Sequence, residues 1–546
     1  MQESWLTLLP PVVSITLALA MRQVLAPLAV GVATGAVLLT VGEPGATWWW
    51  RMPTRFVAAL VDSVRDPDHL MVLAFTCLLG AMVGVLERAG HLAAMILAWS
   101  RRIRTRRGGQ SLIAATGLLI FFDDYANTLL VGGTMRSAAD KFGISRAKLA
   151  YLVDSTAAPV AGLALVSTWV ATEISYLQEG LVDAGFQDPT VAFSLFLSSL
   201  AYRFYPVYAI LLVFLIAWSG REFGPMQREE VVAQAALERG ERQCLEQAIS
   251  GDSVAASGPP EPDRRWWVDA TAALLPIAVC LVVLVGVLLQ TGLASMSADP
   301  TVGQSGGALQ QLGQVMGHGD SYRALVAGGA AGWSVAFLIG WISRRRVQPL
   351  VVGTLAGVWQ MMPAMLVLWL AWALSGMTAP SGLDTGGYLA GLLTNRIDVE
   401  WLPTCVFVLA GLIAFSTGTS WGTMALLTPL AVSLSVKMAT AADVPIDPSS
   451  PWVLATFSGV LAGAIFGDHC SPLSDTTVLS SRACDCEVMV HVRTQLPYAL
   501  TAGVVSVAVS VATTVAGLPL WLGWSLGALA LALTVRWLGK PILTNR

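Results

Sequence analysis

Long apolar runs alternate with polar stretches along the chain, near 5–21, 24–41, 70–86, 149–172, 191–219, 268–290, 322–342, 350–376, 452–481, 497–517 and 519–538. A helix of roughly twenty residues crosses the hydrocarbon of a bilayer, so each run predicts a membrane span. Two further stretches, about 110–135 and 404–437, are too polar in the middle for plain spans. The first holds Asp123, Asp124 and Asn127, and the second holds Ser416-Thr417-Gly418-Thr419-Ser420. Both read as broken or re-entrant hairpins. A comparable interruption, Phe466 to Thr477, falls inside the run 452–481, where Pro472 breaks the helix between Asp468 and Asp475.

Charge placement orients these elements. Arg101-Arg102-Ile103-Arg104-Thr105-Arg106-Arg107 precedes the first hairpin, and Arg136, Lys141, Arg146 and Lys148 follow it. Basic flanks mark cytoplasmic segments, so this hairpin enters and leaves on the inside. The run 149–172 then delivers Glu173, Glu179, Asp183 and Asp188 to the outside. By the same rule the linker 220–267, Arg344-Arg345-Arg346, Arg482, Arg493, Arg536 and Lys540 fall inside. The second hairpin, flanked by Asp384, Asp398, Glu400, Asp443 and Asp447, falls outside. The expected setting is a cell (inner) membrane, with the C-terminus cytoplasmic and the N-terminus outside. Residues 5–21 read as the first span and not a cleaved signal peptide, because no small-residue cleavage pattern follows and another apolar run does.

The predicted fold class is an all-α polytopic membrane protein. Three spans, a hairpin and two spans occupy 1–219, and the same series, entered from the opposite face, occupies 268–517. That is an inverted repeat of five transmembrane helices plus a re-entrant hairpin each, divided by the cytoplasmic linker 220–267. An extra C-terminal helix occupies 518–546. Gly117 to Phe121 echoes Gly411 to Phe415, and Asp154 to Pro159 echoes Asp468 to Pro472. Interrupted helices at matching places in two halves are the best sequence pointer to a transporter's binding site.

Composition agrees: 55% of 546 residues are hydrophobic and only 12% charged, against about 25% in soluble domains. A net charge of -3 supplies no basic surface for nucleic acid, so the lipid bilayer is the expected environment and no nucleic-acid partner is expected. The seven cysteines form neither a disulfide framework nor a zinc motif.

A broken helix exposes free carbonyls at one half-helix end, which coordinate cations, and free amides at the other, which attract anions. Around the first break stand Asp123, Asp124, Asn127 and Thr128, and around the second Thr417, Thr419 and Ser420. The runs that follow add Asp154 with Ser155, and Asp468 with Ser471, Ser474, Asp475 and Thr476. This oxygen-rich set suits protons and hard cations, not soft metals. A buried carboxylate that can hold either is the minimal machinery of cation/proton exchange.

Plainer roles compete for each residue. One of Asp123 and Asp124 can cap the downstream half-helix, and Asp475 can cap the helix beginning at Thr476. Asp154 and His469 can be structural, and Ser and Thr also pair with freed backbone groups in ordinary membrane helices. Arg203, beside Tyr202 and Tyr205, is either a carboxylate-binding group or half of a structural ion pair. His69, His91, His318 and His491 carry no signal, and the tryptophans suit interfacial anchors.

Phe121 to Gly132, Phe466 to Ser481 and Gly418 to Thr423 resemble signature stretches of the NhaC-type Na+/H+ antiporters, a family of the larger ion-transporter superfamily. The resemblance covers about 70–220 and 268–517. It implies an inverted-repeat fold whose hairpins and broken helices move against a scaffold, as a homodimer. It also implies a transporter, not an enzyme, with Na+ and H+ as transported ions, Na+ held through Asp123, Asp124 and Asp468, and no cofactor. Relatives of this kind include sodium/proton exchangers, a malate/lactate exchanger and amino-acid carriers. A small organic acid or amino acid is therefore the alternative substrate. An intramembrane aspartyl protease is a remote alternative, because the position two residues before Gly467 is Ile465 where its motif needs glycine. A passive channel fits paired hairpins with titratable carboxylates less well than alternating access does.

Overall fold

The computed structural model of the 546-residue chain describes residues 5–21, 23, 25–41, 48–91, 94–95, 103, 105–186, 189–238, 266–298, 315, 319–344, 346–385, 387–388, 397–441 and 449–542. Most of the expected linker, at 239–265, lies outside the described residues. The first half contains helices Leu9–Met21, Leu25–Val41, Trp48–Ser63 and Pro67–Ala89, then Arg106–Leu119, Asp124–Lys141, Arg146–Ala161, Val170–Asp183, Pro189–Ser199 and Phe204–Ser219. After a linker helix, Pro225–Glu238, the second half contains Trp266–Ala298, Ser321–Arg344, Gln348–Thr378, Leu402–Thr417, Ser420–Ala441, Pro451–Cys470, Asp475–Ala483 and Val488–Thr514. Leu520–Leu538 completes the series. The sole described sheet is a two-residue pairing of Arg221–Glu222 with Lys540–Pro541, which holds the start of the linker against the C-terminal tail.

Among the described residues nine helices are long and apolar enough to cross a membrane, and a tenth crosses if 191–202 and 204–219, bent by 46°, form one span. Both expected hairpins are interrupted where their polar residues fall, at 120–123 and at 418–419. The arms 399–417 and 420–440 are, however, each long and apolar enough to cross alone, so the polarity of the second stretch is confined to its break. The run 452–481 divides at 471–474, where Pro472 denies the helix a donor.

The expected single span 149–172 is a correction. It consists of two helices, 146–161 and 170–183, separated by an irregular stretch that hydropathy does not reveal because it is itself largely apolar. Glu173 accordingly does not lie in an outer loop. It sits buried in the second helix, in an ion pair with Arg203 (2.7 Å) that compensates the charge. Arg203 also donates to the Gly162 carbonyl, so the same guanidinium braces both the break at 162–169 and the bend at 203.

Glycines set the closest helix approach. Gly459, Gly463 and Gly467 recur every fourth residue along one face of helix 451–470 and meet the carbonyls of Pro403, Phe407 and Gly411. A Cβ on Gly463 would stand 2.2 Å from the Phe407 oxygen, and one on Gly467 2.1 Å from that of Gly411. Close backbone packing of this kind is how helices associate without a hydrophobic driving force. It presses the helix that ends in Asp468 onto the first arm of the second interrupted pair.

Candidate functional site

Each interrupted pair touches the break of the helix that follows it. In the first half, Thr168 N donates to the Phe122 carbonyl (2.9 Å), joining 162–169 to 120–123. In the second, Asp475 N donates to the Gly418 carbonyl (3.3 Å) and Ser471 Oγ to that of Phe415 (2.6 Å), joining 471–474 to 418–419. Gly418 ends helix 402–417 with φ +71°, and a Cβ there would lie 2.4 Å from the Leu473 oxygen. Both the left-handed backbone and the close approach therefore require glycine.

Asp123 is the N-cap of helix 124–141: its Oδ1 accepts from Ala126 N at 2.7 Å, the ordinary role of a carboxylate at a helix start. Its Oδ2 is buried without a partner, as are both carboxylate oxygens of Asp124. Thr168 lies beside Asp123 and the Trp169 indole beside Asp124, yet neither closes a hydrogen bond. Glu87, near the end of helix 67–89, stands close enough to Asp123 for their charges to repel, and its Oε1 is also buried and unpartnered. A buried polar atom left unpaired costs about 1–3 kcal/mol, and more when charged. These four unpaired oxygens place uncompensated negative charge beside the first break, which a proton or a cation stabilises.

The second half contributes Asp468, whose Oδ2 accepts from Thr476 Oγ1 (3.1 Å) while Oδ1 has no partner. Ser474 is the N-cap of helix 475–483 and accepts from Thr477 N at 3.3 Å. Asp475 shares the helix start with Ser474, its Oδ1 accepting from Thr476 N at 2.9 Å, while its Oδ2 accepts from the Tyr125 hydroxyl of the first half. Asp475 is exposed at its surface although protein groups crowd its carboxylate. Ser420 Oγ is buried and unpartnered at the start of helix 420–441.

Other expected residues are placed differently. Asn127 Nδ2 donates to the carbonyls of Gly117 (2.7 Å), Ile120 (3.1 Å) and Thr156 (2.9 Å), which makes its amide group a latch across the first break. Thr128 donates to the Asp124 carbonyl and Thr417 to that of Ile413, both at 2.8 Å within their own helices. Thr419 Oγ1 accepts from Gly422 N at 3.4 Å. Ser155 lies beside the Tyr151 hydroxyl. Asp154 is buried next to Asp468: its Oδ2 meets Gln495 Nε2 (2.6 Å), Thr477 Oγ1 (3.2 Å) and His491 Nε2 (3.4 Å), Thr477 Oγ1 also reaches the Asp468 carbonyl (3.4 Å), and Asp154 Oδ1 is buried without a partner. His469 Nδ1 meets the Tyr205 hydroxyl at 2.8 Å.

Glu87, Trp169, His491 and Gln495 were not legible as site residues, since each sits in an apolar run or beside one with no local motif, and Tyr125, inside the stretch Phe121 to Gly132, was passed over for the carboxylates beside it. Among the described residues no three of His, Cys, Asp and Glu converge closely enough to hold a metal ion. A cation bound here would take most of its shell from hydroxyls and backbone carbonyls.

The profile described as the Na+/H+ antiporter family matches residues 160–517. An uncharacterized protein of Haemophilus influenzae is 32% identical over 496 residues, covering 91% of this chain and 88% of its own. The malate-2H(+)/Na(+)-lactate antiporter of Bacillus subtilis is 32% identical over 180 residues, 32% of this chain and 34% of its own. Among solved structures, the YdaH transporter of Alcanivorax borkumensis is similar with a TM-score of 0.54 at 15% identity, covering 95% of this chain and 99% of that one. At that identity the likeness concerns the fold.

Proposed function

The chain belongs to the Na+/H+ antiporter family, and from that premise we propose that it exchanges Na+ for H+ by alternating occupancy of its buried carboxylates. It is a multi-pass membrane transporter and not an enzyme. The observation that carries the exchange reading is the set of partnerless buried oxygens on Asp123, Asp124 and Asp468 beside the helix breaks. Left empty, these groups are costly; a proton neutralises them, and Na+ does so with help from Ser420, Thr419 and the carbonyls freed at the breaks. One site that cannot hold both at once couples the two fluxes.

The matched series, an interrupted pair followed by a broken helix joined to it by a backbone hydrogen bond, supports an inverted repeat in 1–219 and 268–517. Contacts between the halves at Tyr125–Asp475 and Thr477–Asp154 support a single transport unit that shifts against helices 67–89, 321–344 and 348–378 in elevator fashion. The pairing of 221–222 with 540–541 supports the linker and the C-terminus lying on one side, the cytoplasmic side of an inner membrane by their charge. A homodimer completes the reading.

In proteoliposomes carrying an imposed pH gradient, adding sodium alone collapses the gradient if exchange occurs, and Asp124→Asn or Asp468→Asn abolishes the collapse. A second reading, cation-coupled transport of a small carboxylate or amino acid, draws on the Bacillus subtilis relative and on a 34% identical arginine/ornithine antiporter of Halobacterium salinarum. Against it, Arg203 is committed to Glu173 and is not available to a carboxylate. Uptake of a labelled acid under a sodium gradient, with no sodium-driven proton flux, would reverse the order.

A further inference from the structure

Away from the breaks, helix 170–183 meets helices 67–89, 321–344 and 348–378 around two adjoining cavities. The smaller, of about 240 Å³, is lined by Asp66, Asp68, Glu179, Gln178, His69 and Tyr322. The larger, of about 390 Å³, shares Asp66, His69 and Glu179 and continues along Leu39, Ala59, Met377 and Trp372 to Arg55 and Asp62. No lysine or arginine lines the smaller cavity. Its one basic group, His69, is already engaged, with Nε2 on Glu179 (3.0 Å), Nδ1 on the Ser63 carbonyl (2.6 Å) and its ring stacked 3.8 Å from Trp372. Outside the smaller cavity Arg323 and Asp320 both act on Asp68, and Arg55 stands in the larger cavity, so within the smaller cavity itself three carboxylates face His69 alone.

Two neutral oxygens point to an occupant independently of that charge. Tyr322 is only 5% exposed, lines the cavity near Asp68 and Glu179, and has no hydrogen-bond partner among the described residues. Gln178 Oε1 is likewise buried and unpartnered. Five acceptors thus surround a space too open for a bare ion, since no described trio of carboxylates or histidines closes on a metal. Acceptors spread over several ångströms suit a headgroup carrying several N–H donors.

We propose that this double cavity is a second binding site, which takes a small alkyl cation bearing a primary ammonium. The ammonium sits among Asp66, Asp68, Glu179, Gln178 and Tyr322, and its aliphatic part lies along Leu39, Ala59 and Met377. Such a ligand competes with His69 for Glu179 and ties helix 170–183 to helices 67–89 and 321–344.

Calorimetric titration of the full chain in nanodiscs with n-butylammonium tests this without any transport readout, so it stands or falls separately from sodium/proton exchange. The expected result is saturable binding at one per chain that persists in equimolar sodium and is unchanged in Asp124→Asn. Losing one hydrogen bond to the charged headgroup in Tyr322→Phe weakens binding about tenfold, and Asp68→Asn weakens it at least as much. Tyr322→Phe keeps the ring and so separates ligand contact from misfolding. Absence of saturable binding to the unaltered chain, loss of binding in Asp124→Asn with retention in Tyr322→Phe and Asp68→Asn, or displacement by equimolar sodium each overturns the proposal.

Discussion

Gln495 donates from Nε2 to Asp154 Oδ2 at 2.6 Å, and the same amide nitrogen reaches the His469 carbonyl at 3.0 Å. One side chain of helix 488–514 therefore holds the broken helices of both halves, at a carboxylate that Thr477 Oγ1 and His491 Nε2 also meet. Replacing Gln495 with alanine leaves Asp154 short of a donor. The expected loss is about 1.5–3 kcal/mol, the range for a hydrogen bond to a charged group. Gln495→Glu, which sets a second carboxylate against Asp154, destabilises more than alanine does. Thermal unfolding of the purified variants in detergent orders the three proteins.

The two aspartates of the first break separate by the same kind of measurement. Asp123→Ala removes the cap on Ala126 N and is expected to cost about 0.5–2 kcal/mol, whereas Asp123→Asn retains a capping oxygen and costs little. Asp124 caps nothing and pairs with nothing, so Asp124→Asn holds or raises thermal stability while abolishing sodium-driven proton flux. A drop in stability for Asp124→Asn comparable to that of Asp123→Ala would show that Asp124 is structural.

Arg203 and Glu173 are each about 1% exposed and paired at 2.7 Å. Removing one partner strands a buried charge, with an expected penalty of about 3–5 kcal/mol for Arg203→Met or Glu173→Gln alone. The double variant recovers most of that loss because no charge remains uncompensated. Unfolding curves for the two single variants and the double one measure the coupling directly.

The glycine rail makes a geometric demand. Gly467→Ala drives a methyl group against the Gly411 carbonyl and must part helix 451–470 from helix 402–417, moving Asp468 away from the second break. Transport is expected to fall by at least tenfold with the protein still folded in the membrane, since a misplacement of about 1 Å at a reacting group is that costly. Alanine at Gly133, where an added Cβ meets nothing within 4 Å, is the matched control. Flux assays on equal amounts of reconstituted protein compare the two.

By itself the sequence determined the membrane class, most of the apolar helices and three of the four breaks, because those signals are local. Hydropathy needs only a run of neighbours, Pro472 withholds its own donor, Gly418 supplies its own left-handed turn, and Asp123 caps the helix that begins beside it. What only the tertiary structure decided is everything that depends on partners distant along the chain. The break at 162–169 is largely apolar and is held open by Phe122 and Arg203, from the first break and from the bend at 203. Glu173 looks like a loop acid until Arg203 is brought to it, and nothing near Asp154 in the sequence announces Gln495, 341 residues away, on its Oδ2. Glu87 reads as the charged end of a span until folding sets it against Asp123. A buried charge takes its meaning from whatever packs against it, and in a chain of long helices those neighbours are hundreds of residues away.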